Sequence, residues 1–169
     1  MEKLVKNLSK TLPLVILVAS SVFGIYEGFN NLQSPSFDGI WSIINYYYAK
    51  DLVVHSMYGL LIGFHNISLA LIYGVLGFIS GGVFTTKFLI NSWKLWTIGL
   101  ITFTDIYLKI FIILEALSST GIVFSVMLLG YSVFIRKKDT KIILKILCFF
   151  IIILLIGGVV EYYALSRMG

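Results

Sequence analysis

The sequence predicts an all-α, polytopic membrane helix bundle of about five transmembrane helices plus an outer interfacial elbow helix. Three observations carry that prediction. Of 169 residues, 59% are hydrophobic and only 12% charged, with a mean hydropathy of +0.97, which no ordinary soluble domain reaches. Apolar runs long enough to cross a lipid core recur along the chain. The stretch from Phe64 to Asn91 is also patterned inside out for water. On a helix, Asn66, Ala70, Tyr73, Gly74, Gly77, Ser80 and Gly81 fall within roughly 120° of one another, and the other positions are almost all Ile, Leu, Val and Phe. In lipid, small residues admit a neighbouring helix while bulky aliphatics face acyl chains. Ala70 with Gly74 and Gly77 with Gly81 form small-xxx-small pairs, so this helix is expected to be the packing centre.

The chain is read as a single integral membrane domain over 1–169. Lys3, Lys6 and Lys10 precede an apolar segment from Leu12 to about Tyr26. A signal peptide shares that order, but the segment exits through Tyr26, Glu27 and Gly28 without a small-x-small site, so a retained first helix is expected, with Pro13 in its first turn. Residues 27–60 are expected to form an extracytoplasmic loop and interfacial helices. Asn30, Asn31, Ser34, Pro35, Ser36, Asp38 and Gly39 supply turn chemistry, and Trp41, Tyr46, Tyr47 and Tyr48 supply a headgroup-level aromatic cluster. Whether 52–63 lies on the membrane or re-enters it is left open by the pattern. A central helix over about Leu61–Phe84 follows, then spans over about Phe88–Tyr107, Lys109–Ile135 and Ile142–Leu165, the last two separated by the basic loop RKKDTK.

With a cytoplasmic N-terminus, inside segments hold Lys3, Lys6, Lys10, Lys87, Arg136, Lys137, Lys138, Lys141 and Lys145, and outside segments hold Lys50, Lys109 and Arg167. That bias predicts N-in, C-out insertion in the cell membrane. Asn66, Glu115 and Glu161 then fall at similar depth in the outer leaflet, Glu115 about 9 Å down its helix from Lys109. An ionisable group at that depth is costly unless paired or wetted, so these three form a candidate binding cluster, which Asp105 and His65 could join. Ser118 and Ser119 flank Glu115 and could hydrogen-bond it or a neighbouring helix.

Structural readings stand beside the functional one. Asn66 equally suits a helix–helix hydrogen bond, Glu161 a solvated interfacial position near Lys109 or Arg167, and Glu115 a hydrogen-bonded structural carboxyl. Lys94 suits snorkelling. His55 and His65 lack a second ligand at metal spacing, so no metal site and no cofactor is expected. Cys148 is the single cysteine, which excludes an intrachain disulfide. The formal charge of +5 is distributed beside hydrophobic runs, which suits lipid contact and not nucleic acid. No nucleophile elbow, HExxH helix or phosphate loop is present, so no catalytic residue is assigned and no enzyme is expected. The expected partners are the lipid bilayer, a second copy through the glycine faces, and envelope proteins.

Phe64, Asn66, Ala70, Gly77, Gly81, Thr85 and Asn91, then Glu115 with Gly130, then a closing GGVVEYY centred on Glu161, resemble the stage II sporulation protein M family over about residues 60–164. Asn91-Ser92 stands where that family has Asn-Gly, Ile110, Phe111 and Ile112 where it has Pro-His-Gly, and Leu117 where it has Pro. The resemblance implies a multi-pass, non-catalytic scaffold or assembly protein that organises partner proteins at the cell envelope. A channel or transporter with a polar outer-leaflet site at Asn66, Glu115 and Glu161 is the alternative.

Overall fold

The computed structural model describes residues 2–32, 55–133 and 140–166. It is all helical, with no strand among the described residues. The helices are α1 (Glu2–Asn30), α2 (His55–Ile79), α3 (Val83–Thr102), α4 (Ile106–Tyr131) and α5 (Thr140–Ser166). Four of them, α1, α2, α4 and α5, contain stretches long and apolar enough to cross a membrane. Of the loop and interfacial helices expected over 27–60, residues 33–54 lie outside the described residues, as does most of the basic loop, whereas 27–30 continue α1 and 55–60 open α2, which starts six residues before the expected Leu61.

Helix α1 is longer than the expected span. The segment ahead of Leu12 carries three Lys and two Leu and contains neither Gly nor Pro, so the helix starts at Glu2. Pro13 therefore sits inside the helix, where it is fully buried, and not in a first turn.

Helix α2 ends earlier than its pattern suggests, at Ile79 instead of near Phe84. The Gly82 N–H donates to the Gly77 carbonyl at 2.6 Å and the Gly81 N–H to the Phe78 carbonyl at 3.4 Å, the paired bonds of a Schellman stop. That stop requires a left-handed residue, and Gly81 provides it at φ 63°. Gly81 is thus exposed in the turn rather than on the packing face, although the other members of that face do pack. Ala70 is fully buried; a β-carbon at Gly74 would lie 2.7 Å from Val126 Cβ; one at Gly77 would strike Thr85, whose hydroxyl donates to the Tyr73 carbonyl at 2.9 Å.

The packing centre is α4, not α2. Of the apolar stretch in α4, 56% is buried, against 28% in each of the other three. The physical reason is the run Ser118, Ser119, Thr120 and Gly121, whose small side chains are all buried and let neighbours approach from several sides. Gly74 and Phe78 of α2 meet α4 at Val126 and Gly130, whereas Phe150 of α5 lies against Gly121. Ile67, Ala70, Ile122, Val123, Met127, Leu147 and Leu154 form the main core between these three helices. Helices α2 and α5 come into backbone contact where Gly59 and Gly63 face Gly158.

A second face was not anticipated. Ser20, Gly24 and Gly28, four residues apart on α1, are buried, and β-carbons at the two glycines would lie 2.6 Å from Ile90 O and Thr97 Cβ of α3. The order of these contacts makes α1 and α3 parallel. By the same reasoning α2 and α4 are parallel to each other, while Gly59 against Val159 and Gly63 against Leu155 make α2 and α5 antiparallel. Helix α3 gives way to α4 at Asp105, whose carboxylate accepts from the Tyr107 and Leu108 N–H groups at 2.8 and 3.0 Å. Asp105 is an N-cap.

Candidate functional site

The site lies between α3, α4 and α5, towards the end of the bundle where α1 reaches Asn30. Its first member is Glu115, nine residues into α4, or about 14 Å from the helix start. Trp96 of α3 is buried in one cluster with Phe111, Ile112 and Ala116 of α4, and Val160 of α5 packs against that cluster. Its indole N–H hydrogen-bonds the Glu115 carboxyl. Trp93, one turn earlier, meets the Trp96 ring edge-on with centroids 5.4 Å apart.

The second member is Glu161 of α5. Gly157, one turn before it, packs at Leu114, where a β-carbon would stand 3.5 Å from Leu114 Cβ. Glu161 is therefore about 7.5 Å in depth from the level of Glu115, near enough that charges on the two carboxyls interact. Its Oε2 is buried without a hydrogen-bond partner. The indole nitrogen of Trp93 is likewise buried and unpartnered. The cluster thus contains one satisfied carboxyl, one carboxyl with an orphan acceptor, and one orphan donor. Ser21, Thr120 and Ser125 also carry buried hydroxyls without a partner, and each such orphan calls for an explanation, a bound water or ion among them.

The other candidates lie apart. Asn66 is half-buried on α2. Since Gly63 faces Leu155, Asn66 stands opposite about residue 152, more than two turns from Glu161. The α2–α4 register does put Asn66 at about the depth of Glu115. His65 is exposed, and Asp105 is used as a cap. Ser118 does not reach Glu115; its hydroxyl donates to the Leu114 carbonyl. Ala70, Gly74 and Gly77 serve α2 packing at the opposite end of the bundle from Glu161. Cys148 is exposed on α5. Among the described residues no group of three or more His, Cys, Asp or Glu could hold a metal ion.

The two tryptophans are the site residues that sequence reasoning missed. Indoles in membrane sequences suggest interfacial anchors. The usable signal was the α3–α4 hairpin: folding the chain back at about residue 104 places Trp96 opposite residues 111 to 116, and a deep Glu needs a donor there.

The chain matches no protein-family model, no curated protein and no solved structure.

Proposed function

We propose that this chain is a cell-membrane protein of the channel or transporter type that admits a small cation at Glu115 and Glu161. The observation that carries the reading is the buried, partnerless Oε2 of Glu161 beside a second carboxyl inside the bundle. A deep ionisable group without an internal counter-charge is retained where it serves a ligand or ion pathway.

The proposed topology has five crossings, with the N-terminus cytoplasmic and the C-terminus outside. Helices α2 and α4 run in the same direction, so the chain between them must return across the bundle. Helix α3 supplies the return: its 20 residues span about 30 Å, the thickness of a hydrocarbon core. It is less apolar than the others because it carries Lys87 and Lys94. Lys87 lies in the first turns of α3, beside the turn after α2, and Lys94 lies about midway along α3, about 17 Å from its start, with its carbonyl beside Gly28.

The test is flux in proteoliposomes, using an entrapped pH-sensitive dye and imposed sodium or potassium gradients. Wild-type protein is expected to dissipate a gradient, and Glu115→Gln and Glu161→Gln are expected to slow this at least tenfold while remaining monodisperse. Equal flux in all three proteins contradicts the reading.

A second reading is a non-catalytic scaffold at the cell envelope, as the resemblance to the stage II sporulation protein M family implies. The backbone contact between α2 and α5 favours it, because helices packed at glycine form a stiff platform. On that reading Glu115→Gln alters assembly with envelope partners or with a second copy, and there is no flux to lose.

A further inference from the structure

Resting on the cation-admitting reading above, we propose that the occupant of the Glu115–Glu161 site is a proton, taken from water and held by the carboxyl pair. The donor and acceptor inventory leads there. Two carboxylates in one low-dielectric bundle both stay charged only with a neutralising partner, and among the described residues no lysine or arginine pairs with either. Helix α4 contributes Glu115 and, nearer its start, Lys109, Tyr107 and the capping Asp105. Helix α3 contributes Trp93, Trp96 and Lys94. Helix α5 itself adds Tyr162 and Tyr163, the latter edge-on to Tyr107 with ring centroids 5.3 Å apart. Helix α2 faces α5 here through Gly59 and Gly63; its first residue, His55, stands at about the level of Glu161, and its His65 is exposed. Among the described residues no lysine forms an ion pair with either carboxyl.

Among the described residues, then, no fixed positive charge neutralises the pair. Calcium takes six to eight oxygen ligands, and magnesium, though held by as few as one or two carboxylates, must keep several of its own waters in a near-ideal octahedral shell. The pair offers two carboxyls and no third acidic, histidine or cysteine ligand among the described residues. Ser118, the nearest hydroxyl along α4, is committed to the Leu114 carbonyl. A proton needs only one lone pair, and the free Oε2 of Glu161 has one. In the binding step a hydronium ion transfers its proton to a carboxylate oxygen, forming one O–H bond and releasing water; the reverse step returns the proton to water. The Trp96 indole keeps the Glu115 carboxyl oriented and hydrogen-bonded while its neighbour titrates, which makes Trp96 a positioning residue.

The experiment is infrared difference spectroscopy of the protein in lipid nanodiscs, between mildly acidic and mildly alkaline buffer, in H2O and in D2O. A carboxylic-acid carbonyl band that grows on acidification and shifts in D2O is expected. Glu161→Gln or Glu115→Gln should abolish or displace it, and Trp96→Phe should move its frequency while keeping its amplitude. Should one Gln variant fail to fold, the other and Trp96→Phe still decide the matter. A band unaltered in the folded variants overturns the proposal, as does one that sodium or methylammonium removes at constant pH. Flux separates the two claims. A pair-dependent band in liposomes that pass no ions sinks the transport reading alone, and flux that depends on both carboxyls without such a band sinks the proton alone.

Discussion

Gly158→Val is expected to separate α2 from α5 and to cost about 3 kcal/mol or more, the upper range for overpacking. A β-carbon at Gly158 would collide with the Gly59 carbonyl oxygen and would stand 2.8 Å from the Gly63 nitrogen. Both obstacles are backbone atoms of a helix, which no rotamer change can clear. The neighbouring Gly157 is the internal control, because its β-carbon would make only an ordinary 3.5 Å contact with Leu114. Gly157→Ala should leave stability unchanged or raise it by up to about 1 kcal/mol through helix propensity. Unfolding in mixed micelles by increasing SDS reads both. Similar losses for the two variants would mean that the α2–α5 contact is not where the backbones meet.

Trp96→Ala is the other large effect. The side chain is 7% exposed and fills the junction of α3, α4 and α5. Its removal leaves a cavity and strips Glu115 of its indole donor. Cavity formation alone puts the loss at about 3 kcal/mol, the low end for a large aromatic, since in lipid the transfer contribution largely vanishes and lost packing contacts remain. Trp96→Phe keeps much of the volume and should recover more than half of that loss in the same SDS titration. If Trp96→Ala is silent, the junction is not packed as described.

The all-helical architecture and the approximate places of α1, α4 and α5 are legible in the sequence because each apolar run is bounded by charge. The stop of α2 is not, because Ser80, Gly81 and Gly82 continue the small-residue pattern of the preceding helix while changing its backbone. Only the left-handed conformation of Gly81, a property of the turn and not of the pattern, reveals the break. Centrality was assigned to the helix with the most glycine, yet it belongs to α4, where hydroxyl side chains are small enough to admit several neighbours at once. The Ser20, Gly24 and Gly28 spacing was present in the sequence and is visible in retrospect as a contact face for α3.

At the site, Glu115 and Glu161 stand out from sequence because carboxyls inside apolar runs are expensive. Asn66 is expected at their depth, but the α2–α5 register sets it more than two turns along the bundle from Glu161. Trp93 and Trp96 carry no charge to flag them. Their role depends on the α3–α4 hairpin register, which three residues at Phe103, Thr104 and Asp105 determine.

The most direct measurement of whether Glu115 and Glu161 form one site is a double-mutant cycle. Stability in the SDS titration is compared for wild type, Glu115→Gln, Glu161→Gln and the double variant. The structure predicts coupling, with the double variant departing from the sum of the single effects by about 1 kcal/mol or more, as residues that share an interaction do. Additivity to within about 0.5 kcal/mol, the behaviour of distant and independent residues, would contradict it.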